Sequence, residues 1–353
     1  MTGEQDRFEL DPRLREAADH LPRAVEPPGD LWPGIRSRMR GGAGKGRPVR
    51  RRLVRRWLPL AAAALLLLAL GVWQVVHRSA SGRSGQWQVR RLAGAPRVGD
   101  AAIGPVGTMR VGQWLVTDDS SRAVIAVGDI GTVDVKPGSR VRLVTARPTD
   151  HRLALAFGSI DAKVDAPPRL FFVDTPAGTA VDLGCAYTLD VDSAGHGVLR
   201  VTAGYVEFSW GGRRSIVPLG AVTLIRPGVG PGIPYVADAP GALRRALFAF
   251  DFGAGGPVAV RAALAAARPE DALSLWHLVA RVTPDLRAAV YDRLVALVPP
   301  PAGVARDAAL RLDAATLQRY WERIRRIAWR REILKGVREI DPRTGLSRSR
   351  FPR

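Results

Sequence analysis

The chain has 353 residues, 46% of them apolar and 24% charged, enough for two or three domains with ordinary cores and too apolar for wholesale disorder. Its formal charge of +20 is unevenly placed, at +11 over 1–99, −1 over 100–240 and +10 over 241–353, so the middle of the chain is no basic nucleic-acid surface. The single cysteine, Cys185, excludes an intramolecular disulfide and any multi-cysteine metal site.

Residues 1–56 are too few for a conventional core. Asp11-Pro12 is a good helix start, an N-cap acid followed by proline at the first helical position, and Leu14, Ala18 and Leu21 then share a face. Pro27-Pro28-Gly29 breaks the chain before a second short helix carrying Trp32, Ile35 and Met39. Amphipathic pieces that cannot bury themselves are expected to dock on a partner through Leu14, Leu21, Trp32 and Ile35, unless the stub only supplies topogenic charge. Gly41 to Pro48 reads as a flexible basic linker.

Trp57 to Val76, WLPLAAAALLLLALGVWQVV, carries no charge over about 20 residues, the length that crosses roughly 30 Å of hydrocarbon. A buried core helix rarely runs so long without a polar face. A cleaved signal peptide starts nearer the N-terminus. Arg50, Arg51, Arg52, Arg55 and Arg56 crowd the N-side, more densely than Arg78, Arg83, Arg90 and Arg91 on the C-side. Cytoplasmic loops favour Lys and Arg, so the expectation is a single-pass protein of a bacterial inner (plasma) membrane, N-terminus cytoplasmic and C-terminus extracytoplasmic.

A linker is expected over 77–99 and an all-β domain, sandwich or β-roll, over 100–240. Its short alternating runs include RAVIAV (122–127), VRLVT (141–145), RLALAF (152–157), VLRVT (198–202) and GYVEF (204–208). Pro137-Gly138, Gly158, Pro176-Ala177-Gly178, Gly195-His196-Gly197 and Gly211-Gly212 read as the turns between strands. Cys185, inside the apolar run LGCAYTLDV, reads as a small core residue rather than a nucleophile.

Beyond Pro240 the period becomes helical, and a small bundle is expected over 241–335, with a disordered end at 336–353. One helix follows Pro269, with Ala272, Trp276 and Val279 on a face. A second is capped by Thr283-Pro284-Asp285 and ends before Pro299-Pro300-Pro301. The last starts near Asp313, with Leu317, Tyr320, Trp321, Ile324 and Ile327 inward. Arg319, Arg323, Arg325, Arg326 and Arg330 fall largely outside that stripe, either a solvated face or a basic docking face for an acidic partner or anionic lipid.

The stub's run LPRAVEPPGDLWPGIRSRM resembles the N-terminal segment of transmembrane anti-sigma factors. Zinc-dependent versions place a His and two Cys there; His20 is present without any cysteine, so no metal site is expected. In the β region, WLVT (114–117), GTVDVKPGS (131–139), LALAFGSI (153–160), VDTPAG (173–178), VDLG (181–184) and LRVTAGYV (199–206) keep the order found in the FecR family, which this stretch resembles. That resemblance implies a signal-transducing regulator whose stub binds an extracytoplasmic-function sigma factor. Its periplasmic β-domain would meet a signal, or a periplasmic or outer-membrane protein. Neither a longer Trp-rich cytoplasmic domain nor a transporter-binding C-terminal region is recognisable.

No HExxH, GxSxG or phosphate-cradling Gly-rich loop occurs, so no enzyme and no cofactor are expected. The basic tail should lie across the membrane from DNA, which argues against direct nucleic-acid binding. The alternative is a membrane-tethered ligand- or cell-wall-binding module with no sigma-factor role.

Overall fold

A computed structural model describes residues 85–338, with side chains to Ile327. The stub with Leu14, Leu21, Trp32 and Ile35, the apolar stretch 57–76 and residues 339–353 lie outside the described residues. Among those described, no helix is long and apolar enough to cross a membrane.

Eighteen strands come first among the described elements: β1 (Gln86–Ala93), β2 (Arg97–Val98), β3 (Ala101–Ala102), β4 (Val106–Arg110), β5 (Trp114–Val116), β6 (Arg122–Val127), β7 (Gly131–Val135), β8 (Arg140–Arg147) and β9 (Asp150–Val164), then β10 (Phe171–Thr175), β11 (Gly178–Asp182), β12 (Ala186–Val191), β13 (Gly197–Ala203), β14 (Tyr205–Trp210), β15 (Arg213–Pro218), β16 (Ala221–Arg226), β17 (Gly230–Pro231) and β18 (Tyr235–Val236). One sheet runs β4-β1-β6-β7-β9-β12-β13-β16, with β17 and β18 along β16. The other runs β3-β2-β5-β8-β9-β10-β11-β14-β15. Every pairing is antiparallel except β9 with β10.

The two sheets share β9. Its first half pairs with β8 and β10, and its second half, from Gly158, with β12 and β7. Side chains alternate along a strand, and the buried set slips by one residue at the crossing, from His151, Leu153 and Leu155 to Ile160, Ala162 and Val164. Gly158, read above as a turn between strands, is instead a bend inside one strand. Its φ of +102° and the closeness of Ser139 leave room for no side chain there, which is why the turn-like glycine sits mid-strand.

The expected linker over 77–99 holds strands β1 (86–93) and β2 (97–98). Trp87 and Val89 of β1 are buried, and β1 bridges β4 and β6, so the β-domain begins well before residue 100. Among the described residues six α-helices follow the strands rather than three: α1 (Gly241–Phe252), α2 (Gly256–Ala266), α3 (Ala272–Arg281), α4 (Pro284–Leu297), α5 (Arg306–Leu310) and α6 (Ala314–Arg338). The helix α6 runs into the stretch expected to be disordered from 336.

Sheets and helices bury one continuous apolar core. Within it, Tyr205 of β14 meets Trp321 of α6 edge-on at 6.4 Å, and Trp321 lies 5.1 Å from Trp276 of α3. The helical tail is therefore packed on the sheets, not strung behind them.

Candidate functional site

Three features of this body bear on function, and the first is the junction between its two halves. Strand β15 pairs only with β14, so its other edge presents backbone groups that need partners. The tail supplies them. Arg281 of α3 donates to the Arg214 carbonyl at 3.0 Å and to Ser215 Oγ at 2.6 Å, and the His277 ring nitrogen sits 3.1 Å from the Ile216 carbonyl. Asp251 of α1 completes the lock, accepting from Arg281 at 3.0 Å, from the Ile233 N–H at 2.6 Å and from Arg213. Burial pushes the Asp251 carboxyl up and brings the Arg281 guanidinium down to about 10. Because every group facing the carboxylate is a donor, the pair is charged at neutral pH. His277, buried beside Arg281, is held down to about 3 and is a neutral imidazole donating to Ile216.

The second feature is the arginine face of α6. Two of its expected members are fastened to the chain itself: Arg319 donates to the Gly303 carbonyl at 2.9 Å and Arg323 to that of Pro299 at 3.1 Å. Arg325 pairs with Glu322. Arg325 and Arg326, with Gly204 and Tyr205, line a groove of about 360 Å³. The side chain of Arg330 lies outside the described residues. Two of the five arginines thus anchor a loop. Spacing alone shows charge on a face but not which carbonyls lie beneath it.

The third feature is the outward face of the first sheet. Register aligns Asp134 with Asp161, Asp161 with Thr188 and Thr188 with Arg200, and in the next row Ser159 with Asp190, Val198 and Leu224. Several charges there are paired. Arg122 pairs with Asp134 at 2.6 Å, Lys136 with Asp161 at 3.0 Å, and Asp190 with Arg200 while accepting from Ser159 at 2.6 Å. Such exposed pairs contribute little to stability, about 0–1 kcal/mol each.

At one end this face deepens into a cleft of about 450 Å³. Val198 and Leu224 form part of its floor, Phe248 of α1 overhangs it, and Asp192, His196 and Arg226 stand at its rim. The turn that places Asp192 and His196 is closed by Asp192 itself, whose carboxylate accepts from the Ala194 and His196 N–H groups at 2.9 and 2.8 Å. Beyond the Gly197–Ile225 pair, His196 and Arg226 come to the next register position. The Arg226 guanidinium lies over two rings, 4.9 Å from the centre of Phe248 and 5.1 Å from that of Phe252.

Cys185 is 4% exposed, and burial, with the Asp182 carboxylate beside it, pushes its thiol far up, so it lacks the thiolate a nucleophile needs. No cluster of three metal-ligating side chains occurs among the described residues.

The family model described as FecR protein matches residues 113–207, from the start of β5 into β14. No curated protein matches the chain. Two crystal structures of a candidate anti-sigma factor from Parabacteroides distasonis, at 1.65 and 2.50 Å resolution, align with it at 15% and 16% identity and TM-scores of 0.32 and 0.31. Each alignment covers 36% of this chain and 60% of the other, so the chain spans less than two thirds of those proteins.

Proposed function

We propose, on the premise that residues 113–207 are a FecR domain, that the chain is a membrane-anchored signal-transducing regulator. In this reading residues 57–76 span the membrane, residues 1–56 hold an extracytoplasmic-function sigma factor in the cytoplasm, and the body from residue 85 meets a signal or partner outside. The family match carries the proposal. One further observation supports a binding protein over an enzyme: the buried cysteine is inert. A signal acts across a single span only by favouring one of two states of the outer body, or by exposing the chain to cleavage.

The test is co-purification of the full-length chain from detergent-solubilised membranes of its own host. A sigma factor is expected with the parent, and a Leu14→Asp/Trp32→Asp variant should retain at least tenfold less of it. Absence of a sigma factor from the parent, or equal recovery with the variant, contradicts the proposal and favours a tethered ligand- or cell-wall-binding module.

A further inference from the structure

We propose that the cleft beneath Phe248 receives the C-terminal carboxylate of a peptide whose last side chain is apolar. Of the groups lining the cleft, the acids are already committed: Asp190 to Arg200 and Ser159, and Asp192 to the two N–H groups of its own turn. Arg226 is different. Its guanidinium makes no hydrogen bond or ion pair among the described residues and lies over the rings of Phe248 and Phe252. Stacking restrains a guanidinium in its plane while leaving the donors on its edge free, and that planar fork matches a carboxylate with two parallel hydrogen bonds.

The rest of the cleft sets the ligand's other end. Val198 and Leu224 on the floor and the overhanging Phe248 offer an apolar seat beside the cation. The volume of about 450 Å³ suits two or three residues. The exposed His196 at the rim gives a peptide's amides a polar neighbour. A long alkyl carboxylate would find no such use for a polar rim and would leave most of its chain in water. A C-terminal peptide satisfies the cation, the apolar floor and the rim together.

The experiment is calorimetric titration of the full-length chain in nanodiscs with N-acetyl-Ala-Val-Leu as the free acid, as its C-terminal amide, and with octanoate. The free acid is expected to bind, and the amide to bind at least tenfold more weakly. Arg226→Gln should weaken the acid at least tenfold. Arg226→Lys, which keeps the charge but loses the flat fork, should fall between. Val198→Trp, which fills the floor from a half-buried outward position, should abolish binding while Arg226 is retained. Equal affinity for acid and amide, no binding by the parent, or tighter binding of octanoate than of the peptide would overturn the proposal. Binding is read without a sigma factor, so peptide capture and sigma-factor capture fail independently.

Discussion

Replacing Asp251 by alanine is expected to destabilise the body by about 3–5 kcal/mol, the cost of leaving a buried partner charge without compensation. The side chain of Asp251 is 2% exposed and that of Arg281 is 11% exposed, so water cannot take over the lost contact. Arg281 would keep its carbonyl acceptors on Pro231 and Arg214 but lose its only acid, and Arg213 would lose the same partner. Asp251→Asn, which still accepts from the Ile233 N–H, should cost less than the alanine variant. Because the cluster ties α1 and α3 to β15, the alanine variant should also open the tail to protease before the sheets are cut. Chemical unfolding and limited proteolysis read the two effects. A loss below about 1 kcal/mol would show that the junction does not hold the halves together.

Gly158→Ala should be at least as damaging, although it adds one methyl group. An added Cβ would lie 2.3 Å from Ser139 Oγ and 2.4 Å from Ser139 Cα, on a backbone with φ +102°. The second contact is with main chain, so trimming the neighbour to glycine in a Ser139→Gly/Gly158→Ala pair should not rescue the fold. Gly212 provides the control. Its φ is +79°, yet nothing lies within 4 Å of the added carbon, so Gly212→Ala should cost only the left-handed backbone strain of roughly 1–2 kcal/mol. We expect Gly158→Ala to exceed that control by about 2 kcal/mol or more, read as a difference in unfolding free energy. Equal losses at the two positions would refute the account of β9 as one strand bent between two sheets.

Much of the β architecture was legible in the residues. RAVIAV coincides with β6, and the hairpin turns at Pro176–Gly178 and Gly211-Gly212 fall where glycine and proline put them. Gly158 was misread because a glycine between apolar runs looks the same whether the chain turns back or continues into a second sheet. Strand β1 was missed because its inward face is only Trp87 and Val89, while Arg90 to Ala93 are exposed and look like linker. Helix α2 carries five alanines in eleven residues, whose small side chains give a weak apolar stripe. The junction left less trace still. Asp182, Asp251 and Asp271 are buried, yet nothing in the letters separates them from solvated acids. The cleft joins Asp192 and His196 to Arg226 and Phe248, up to 56 residues apart, and only the β12–β13–β16 register and the placing of α1 against Arg226 bring them to one end. For Leu14, Leu21, Trp32 and Ile35 the sequence remains the guide, since they lie outside the described residues.

The division of the chain between two compartments is the claim on which the regulator account rests, and reporters fused after Arg353 test it most directly. Alkaline phosphatase, which needs an oxidising exterior, should be active there, and β-galactosidase, which needs the cytoplasm, should not. The opposite pattern would place the FecR domain on the same side as the stub and contradict signalling across the membrane.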